Sequence, residues 1–162
     1  AFPAFKYYQT NARLVGFDIT INSEPANFIS LGLRSSVVRG KNVSVKDNLI
    51  YMPSDRITTM FDVHHDFKKI KNVHLGMNVQ NTFKQSRTPV QFADYKAAPA
   101  AYTTLNADAG FDYIINEKHS VAFSVTGENI TNAVYRDYLN RFRYYSDELG
   151  WNLVFRLKYS FK

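Results

Sequence analysis

Arginine and aromatic side chains are interleaved along residues 132–150, the last long polar stretch of the sequence. Guanidinium groups form paired hydrogen bonds with anionic groups, and they also stack on aromatic rings. The combination suits an anionic, partly aromatic ligand or, alternatively, the phosphates of an anionic lipid layer. Five residues are therefore candidate ligand contacts: Arg136, Arg141, Arg143, Tyr144 and Tyr145. Nucleic acid also attracts such mixtures, but no nucleic-acid-binding motif accompanies this one, so no nucleic-acid partner is predicted.

Three of the four histidines lie close together in the sequence. His64 and His65 are adjacent, so on a strand they point to opposite faces and cannot share one metal ion. His74 falls on the same polar face as His64, across a short turn, but a hydrated environment accepts histidine without a ligand. We therefore predict no metal site and no cofactor.

Asp62, Asp66, Asp108 and Asp112 fall on the polar faces of the predicted strands. Paired carboxylates can act as general acid and base, but isolated ones in a polar interior usually bond neighbouring arginine or lysine. No serine–histidine–aspartate spacing, glycine-rich phosphate loop or zinc signature is present in the sequence, which also lacks cysteine. We predict that the chain is not an enzyme.

These side chains are positioned by segments in which apolar and polar residues alternate. Alternation is the period of a β-strand with two different faces, and the period of an amphipathic helix is largely missing. Seven such segments lie at 14–22, 29–37, 57–67, 73–83, 103–113, 121–126 and 151–161. The last one alternates most regularly, with one face formed by Trp151, Leu153, Phe155, Leu157, Tyr159 and Phe161.

Short and long connections alternate between these segments. Turns at 23–27, 68–72 and 116–118 are short, whereas polar connections at 39–48, 84–100 and 132–150 are long. This asymmetry is typical of outer-membrane barrels, which have brief periplasmic turns and extended extracellular loops. Strands of about ten residues are also long enough to cross the hydrocarbon layer. We predict an all-β, antiparallel up-and-down transmembrane barrel sheet with a periplasmic C-terminus.

An odd number of strands is unusual, because single-chain bacterial barrels have an even number. An open sheet in lipid would leave backbone groups unpaired, at several kcal/mol each. We therefore expect residues 1–162 to be the C-terminal part of one larger barrel domain. The other strands would come from elsewhere through a split gene, proteolysis or a longer chain. A passive porin and a soluble β-barrel or sandwich are the alternative interpretations.

Three strings carry a family resemblance. GENITNAVYRDY (127–138) resembles the motif of the penultimate strand in TonB-dependent receptors, and YYQTNARLVGFDI (7–19) is similar to a segment that enters an earlier strand. RFRYYSDELGWNLVFRLKYSF (141–161) resembles the last loop and final strand of that family. Two features depart from the family pattern. Lys162 follows the terminal phenylalanine, and Trp151 stands where a basic residue is expected.

The resemblance implies a barrel of about 22 strands, a plug and a TonB-contacting box, in the outer membrane of a Gram-negative bacterium. It implies active import of a scarce ligand, with a ferric siderophore, haem or metal complex favoured over a glycan. The plug and the earlier strands are not in this chain. Implied partners are those strands and the plug, in the same or separate chains, the TonB complex, lipopolysaccharide and the barrel-assembly machinery, which reads the alternating aromatic face from Trp151 to Phe161. A surface lipoprotein is a further candidate.

Overall fold

The computed structural model describes residues 7–161. Within this range there is no α-helix, and no helix is long and apolar enough to span a membrane. One 3-10 turn lies at Arg141–Tyr144. The strands are β1 (Ala12–Ala26), β2 (Ile29–Asn42), β3 (Asp47–Asn48), β4 (Arg56–His65), β5 (Ile70–Thr82), β6 (Tyr102–Asn116), β7 (His119–Glu128) and β8 (Asn152–Phe161).

All strands belong to one antiparallel sheet in the order β1-β2-β4-β5-β6-β7-β8, and the short β3 pairs with the end of β2. Each long strand is hydrogen-bonded to the next long strand along the chain, which is up-and-down topology. The seven predicted strands are therefore confirmed. β3 is an addition inside the first long connection, where only two residues pair. In the described range β1 and β8 form the two edges and do not pair with each other.

The register places the apolar side chains of neighbouring strands side by side. Leu31 is directly opposite Phe61, Phe61 opposite Met77, and Met77 opposite Ala107. Directly opposite residues of antiparallel strands project to the same face, so one apolar face continues across the sheet. About two fifths of the Leu31, Phe61 and Met77 surfaces are exposed. No described residues form a second layer over this face, as a soluble sandwich would require.

The opposite face of the sheet is polar. One row across four strands consists of Arg34, Thr58, Gln80 and Thr104, again directly opposite one another. The buried aromatic side chains of the described range, Tyr138 and Tyr144, lie in the last long connection and not in the sheet. The sheet therefore separates an apolar surface from a wet one without a core of its own, which is the arrangement of a barrel wall.

The short turns differ in detail from the sequence prediction. β1 continues through Pro25, so the first turn contains Asn27 and Phe28 alone and the predicted turn at 23–27 is shifted. Proline lacks a ladder donor but is tolerated at β-bulges, and the pairing shifts register between Ser23 and Ala26, on either side of Pro25. The long connections at 43–55, 83–101 and 129–151 all leave the other end of the sheet, as predicted.

The two faces of β5 generate a direct test in lipid. Met77→Arg places a charge on the apolar face near the middle of a strand, where arginine is expected to cost about 2–4 kcal/mol. Asn78→Arg is the matched control, because the adjacent residue faces the polar side. Denaturant unfolding of the complete protein in lipid vesicles measures both changes. Equal destabilisation by the two substitutions would contradict the assignment of the faces.

Candidate functional site

The three long connections contact one another and form a layer over one end of the sheet. We call residues 43–55, 83–101 and 129–151 the loop layer. Its centre contains the buried side chains of Tyr138, Arg143 and Tyr144, which are 3–5% exposed. No aromatic residue of the described strands is buried to this degree. The loop layer is thus ordered by its own packing.

A buried ion pair joins the second and third connections. The Arg143 guanidinium contacts the Asp94 carboxylate, and both side chains are more than nine tenths buried. The Tyr144 hydroxyl donates to Asp94 Oδ1 at 2.5 Å and lies 3.0 Å from the Tyr51 hydroxyl of the first connection. These four residues therefore tie all three connections together. Tyr51 has φ 57°, a left-handed conformation that costs a bulky residue about 1–2 kcal/mol.

Aromatic rings surround the buried charge of Arg143. Its Cζ lies 4.6 Å from the centroid of the Tyr138 ring and 4.7 Å from that of Tyr144, which is within the range of a cation–π interaction. Burial is the main cause that raises the pKa of the Tyr144 hydroxyl above its ordinary value. Tyr144 consequently stays protonated at neutral pH and can keep donating to Asp94.

The 3-10 turn decides which residues of the third connection face inward. The side chain of Asn140 caps the turn by accepting a hydrogen bond from the Phe142 amide at 2.9 Å. With three residues per turn, Arg143 and Tyr144 face the layer, whereas Arg141 and Phe142 are exposed. The local cap therefore separates two structural residues from two surface residues.

The asparagine-rich string at the start of the third connection anchors it to the sheet. The Asn129 amide donates to Asn106 Oδ1 at 2.8 Å, and the Asn129 side chain both donates to and accepts from the Ala133 backbone at 2.9 Å. Asn132 Oδ1 accepts from the Trp151 amide at 3.2 Å. Asparagine tolerates positive φ better than most residues, and φ is 47° at Asn129 and 51° at Asn132.

A second ionic cluster fastens the first two connections to β2. Asp55 accepts from Arg39 at 2.6 and 2.9 Å and from Arg87 at 2.8 Å. The Arg39 hydrogen bond is the largest influence that lowers the pKa of Asp55, and Arg87 adds to it. Nearby, the buried Gln85 side chain donates to the carbonyls of Met52 and Pro53, both at 2.9 Å. Asp55 therefore stays ionised at neutral pH as the centre of this clamp.

A polar pocket of about 320 Å³ opens on the polar face beneath the third connection. Its lining contains two carboxylates and four side-chain amides but no arginine or lysine: Gln80, Thr104, Asn106, Glu128, Asn129, Tyr135, Glu148, Leu149, Gly150 and Asn152. Tyr135 stacks on Tyr102, with ring centroids 4.2 Å apart. The volume lies at the lower end of small-molecule sites, and the lining suits a cationic or hydroxyl-rich group.

A second cavity of about 450 Å³ lies on the sheet near the short turns. Its lining residues are Asn27, His64, His65, Asp66, Asn72 and His74. His64 and His74 are direct partners on β4 and β5, so they share the polar face as the sequence indicated. Among residues 7–161, no group of three or more histidine, aspartate or glutamate side chains is arranged to hold a metal ion.

The five candidate ligand contacts do not form one surface. Arg143 and Tyr144 are buried, and their polar groups take part in the Asp94 cluster. Arg136 bonds Asp147 and donates to the Arg143 carbonyl at 2.9 Å, so it braces the third connection. Arg141 and Tyr145 are on the outer surface of the loop layer. These two residues remain the accessible candidates.

The aromatic face predicted as an assembly signal lies on the edge strand β8 and just before it. Its members are between 45% and 76% exposed: Trp151, Leu153, Phe155, Leu157, Tyr159 and Phe161. The register with β7 aligns these residues with other apolar side chains, for example Phe155 with Val125 and Leu157 with Phe123. Lys162 lies outside the described residues.

Sequence reasoning missed the partners of the buried arginine. Asp94 is 49 positions before Arg143, and no spacing rule connects them. Asp94 is the one acidic residue of the 83–101 connection, but it is indicated as a partner only once Arg143 is known to be buried, since a buried arginine requires a carboxylate. Tyr51 carries no comparable signal in the sequence.

Comparison with known proteins supports the fold. No protein-family model and no curated protein matches the sequence. Among solved structures, the chain is similar to the copper transporter OprC, with a TM-score of 0.71 and 16% sequence identity. The match covers 94% of this chain and 24% of that one, so this chain spans about a quarter of the transporter's length. The predicted fold class, an antiparallel up-and-down sheet of a transmembrane barrel, is confirmed.

The buried ion pair of the loop layer gives a testable difference between two aspartates. Asp94→Asn leaves the Arg143 charge buried without its counter-ion, which is expected to cost about 3–5 kcal/mol. Asp147→Asn breaks the exposed pair with Arg136 and is expected to cost at most about 1 kcal/mol. Hydrogen-exchange mass spectrometry of residues 83–101 measures the opening of the layer. Unchanged exchange in the Asp94 variant would show that the pair does not hold the connections together.

Proposed function

We propose that this chain is part of the wall of a TonB-dependent barrel in the outer membrane of a Gram-negative bacterium, and that the barrel imports a metal ion or metal complex. The observation that carries the proposal is the two-faced sheet, which matches a copper transporter over 94% of this chain. The three strings that resemble TonB-dependent receptors point to the same family independently of that match. The proposed activity involves no covalent chemistry.

The two faces of the sheet assign a role to each side of the wall. The apolar face lies against lipid, because its side chains are exposed on every long strand except β7, where they are half-buried. It also carries aromatic side chains towards the sheet ends, such as Tyr113 and Tyr159. The polar face lines the lumen. Cargo that passes along the barrel would therefore meet side chains such as Arg34, Asp108 and Arg156.

The loop layer lies where the cargo would enter. Long connections of outer-membrane barrels face the cell exterior, so the Asp94 cluster fixes the shape of the mouth. The polar pocket opens from this mouth onto the lumenal face, and its carboxylates at Glu128 and Glu148 favour a positive cargo. This charge supports a metal cation or cationic complex better than an anionic ligand held by arginines.

The edges of the sheet imply additional strands. Unpaired backbone groups of β1 and β8 are not tolerated in lipid, so the remaining strands and a plug belong to the same receptor in this proposal. The periplasmic position of the C-terminus and the contacts with TonB, lipopolysaccharide, the assembly machinery and a surface lipoprotein stay predictions. The same holds for the ferric siderophore and haem, for which the copper transporter offers no support.

Copper uptake by whole cells tests the proposed function. Cells that produce the complete protein are expected to accumulate radioactive copper faster than cells without it, and a protonophore is expected to reduce uptake to background. This energy dependence separates active import from a passive porin. Accumulation that persists without energy would assign the barrel to the passive class, and absence of copper uptake would contradict the metal cargo.

Two variants in the same assay test the surface of the mouth. Arg141→Ala removes an exposed cation from the loop layer and is expected to change the rate of uptake without changing the amount of barrel. Lys118→Ala is the matched control, because this exposed residue lies in the short turn at the other end. Equal rates for both variants would remove Arg141 from the entry path.

A further inference from the structure

Two histidines on the lumenal face are placed to reach one ligand. His64 and His74 are directly opposite on β4 and β5, and directly opposite residues have Cβ atoms about 4.5–5.5 Å apart. Both side chains line the cavity of about 450 Å³ near the short turns. Each is between a third and a half exposed, so a solute in the lumen can reach it.

The hydrogen bonds of both rings leave the same nitrogen available. His74 Nδ1 lies 2.9 Å from the Asn72 carbonyl, which can only accept, so this nitrogen carries the proton. His64 Nδ1 lies 3.1 Å from Asp62 Oδ1 in a similar arrangement. Metal-binding histidines typically donate their second ring nitrogen to a carboxylate or backbone carbonyl in this way. Nε2 of each ring is therefore the atom left to bind a metal.

Two glycines make room for the histidine and a nearby carboxylate. Gly110 is directly opposite His74, and a Cβ there would lie 2.8 Å from the ring. Gly76 is directly opposite Asp108, and a Cβ there would lie 2.7 Å from its carboxylate. Because both positions lack a side chain, Asp108 Oδ2 approaches to 3.5 Å from His74 Nε2. The negative charge of Asp108 would thus lie near a cation held by the two imidazoles, without adding a third ligand.

We propose that His64 and His74 form an exchangeable binding site for a divalent transition-metal cation, Cu²⁺ in the first instance, on the lumenal wall. Imidazole suits copper, zinc and nickel. Since three side chains do not enclose an ion here, the ion keeps water ligands and binds weakly. Weak binding lets an imported ion leave the site again. The inference rests on the proposed import function. Because the site lies at the opposite end of the wall from the loop layer, cargo that enters there would reach the site last. The inference therefore narrows the cargo to a cation that has been released from any carrier.

Electron paramagnetic resonance of the complete protein in detergent, with Cu²⁺ as the probe, tests this site. The expected wild-type spectrum shows two imidazole nitrogens bound to copper. His64→Gln and His74→Gln are each expected to remove one nitrogen and to weaken binding by about tenfold or more, which corresponds to about 1.4 kcal/mol. Glutamine is polar and suits the wet face, so both variants should assemble.

His119 provides a control outside the site. His119→Gln alters a residue whose ring bonds Tyr159, and this variant is expected to retain the two-nitrogen spectrum. Fewer than two nitrogens in the wild type, or loss of a nitrogen in the His119 variant instead of in the two site variants, would overturn the site. Because binding is measured without transport, this failure is distinct from absence of copper uptake in cells.

Discussion

Backbone pairing in a medium without water is the constraint on which the structure depends. Hydrocarbon offers no partner for N–H or C=O groups, so each strand must be satisfied by its neighbours over its whole length. The sheet meets this demand because every long strand from β1 to β8 pairs with the next, with register shifts near the short turns. The same register fixes the faces, because a shift of one residue would move every apolar side chain to the polar side.

The loop layer at the end of the sheet is ordered mainly by side-chain contacts rather than by strand pairing. Its backbone lies outside the ladder, so side chains provide the missing order: the buried Arg143–Asp94 pair, the Asp55 clamp and the asparagines at 129 and 132. Buried ion pairs add little net stability but strongly penalise the loss of one partner. They therefore suit a loop layer that adopts one defined shape. Charge is also divided in space, because Arg143 is buried within the layer whereas the carboxylates of Glu128 and Glu148 line the polar pocket.

The strands could be predicted from the sequence because alternation is a local signal, and each of the seven predicted segments overlaps a long strand. Strand ends were less accessible to prediction, as Pro25 shows, since its place within β1 depends on the register shift between Ser23 and Ala26, which the sequence does not display. In the last connection, the arginine and tyrosine content singled out the segment, but it did not show which of these side chains face the inside of the loop layer. Which of Arg141 and Arg143 is buried depends on a 3-10 turn and on Asp94, 49 residues away. The opposition of His64 and His74 followed from strand periodicity, whereas the hydrogen bonds of their rings did not.

The two-faced wall is tested most directly by cysteine scanning along β5, because residues 1–162 contain no cysteine that would compete for the label. Single cysteines at Val73, Leu75 and Val79 probe one face, and those at His74, Asn78 and Gln80 probe the other. With the complete protein in lipid vesicles, a water-soluble maleimide is expected to label the second set and spare the first. Labelling without a period of two, or labelling of the apolar set alone, would contradict the assignment of this sheet as a membrane-spanning wall.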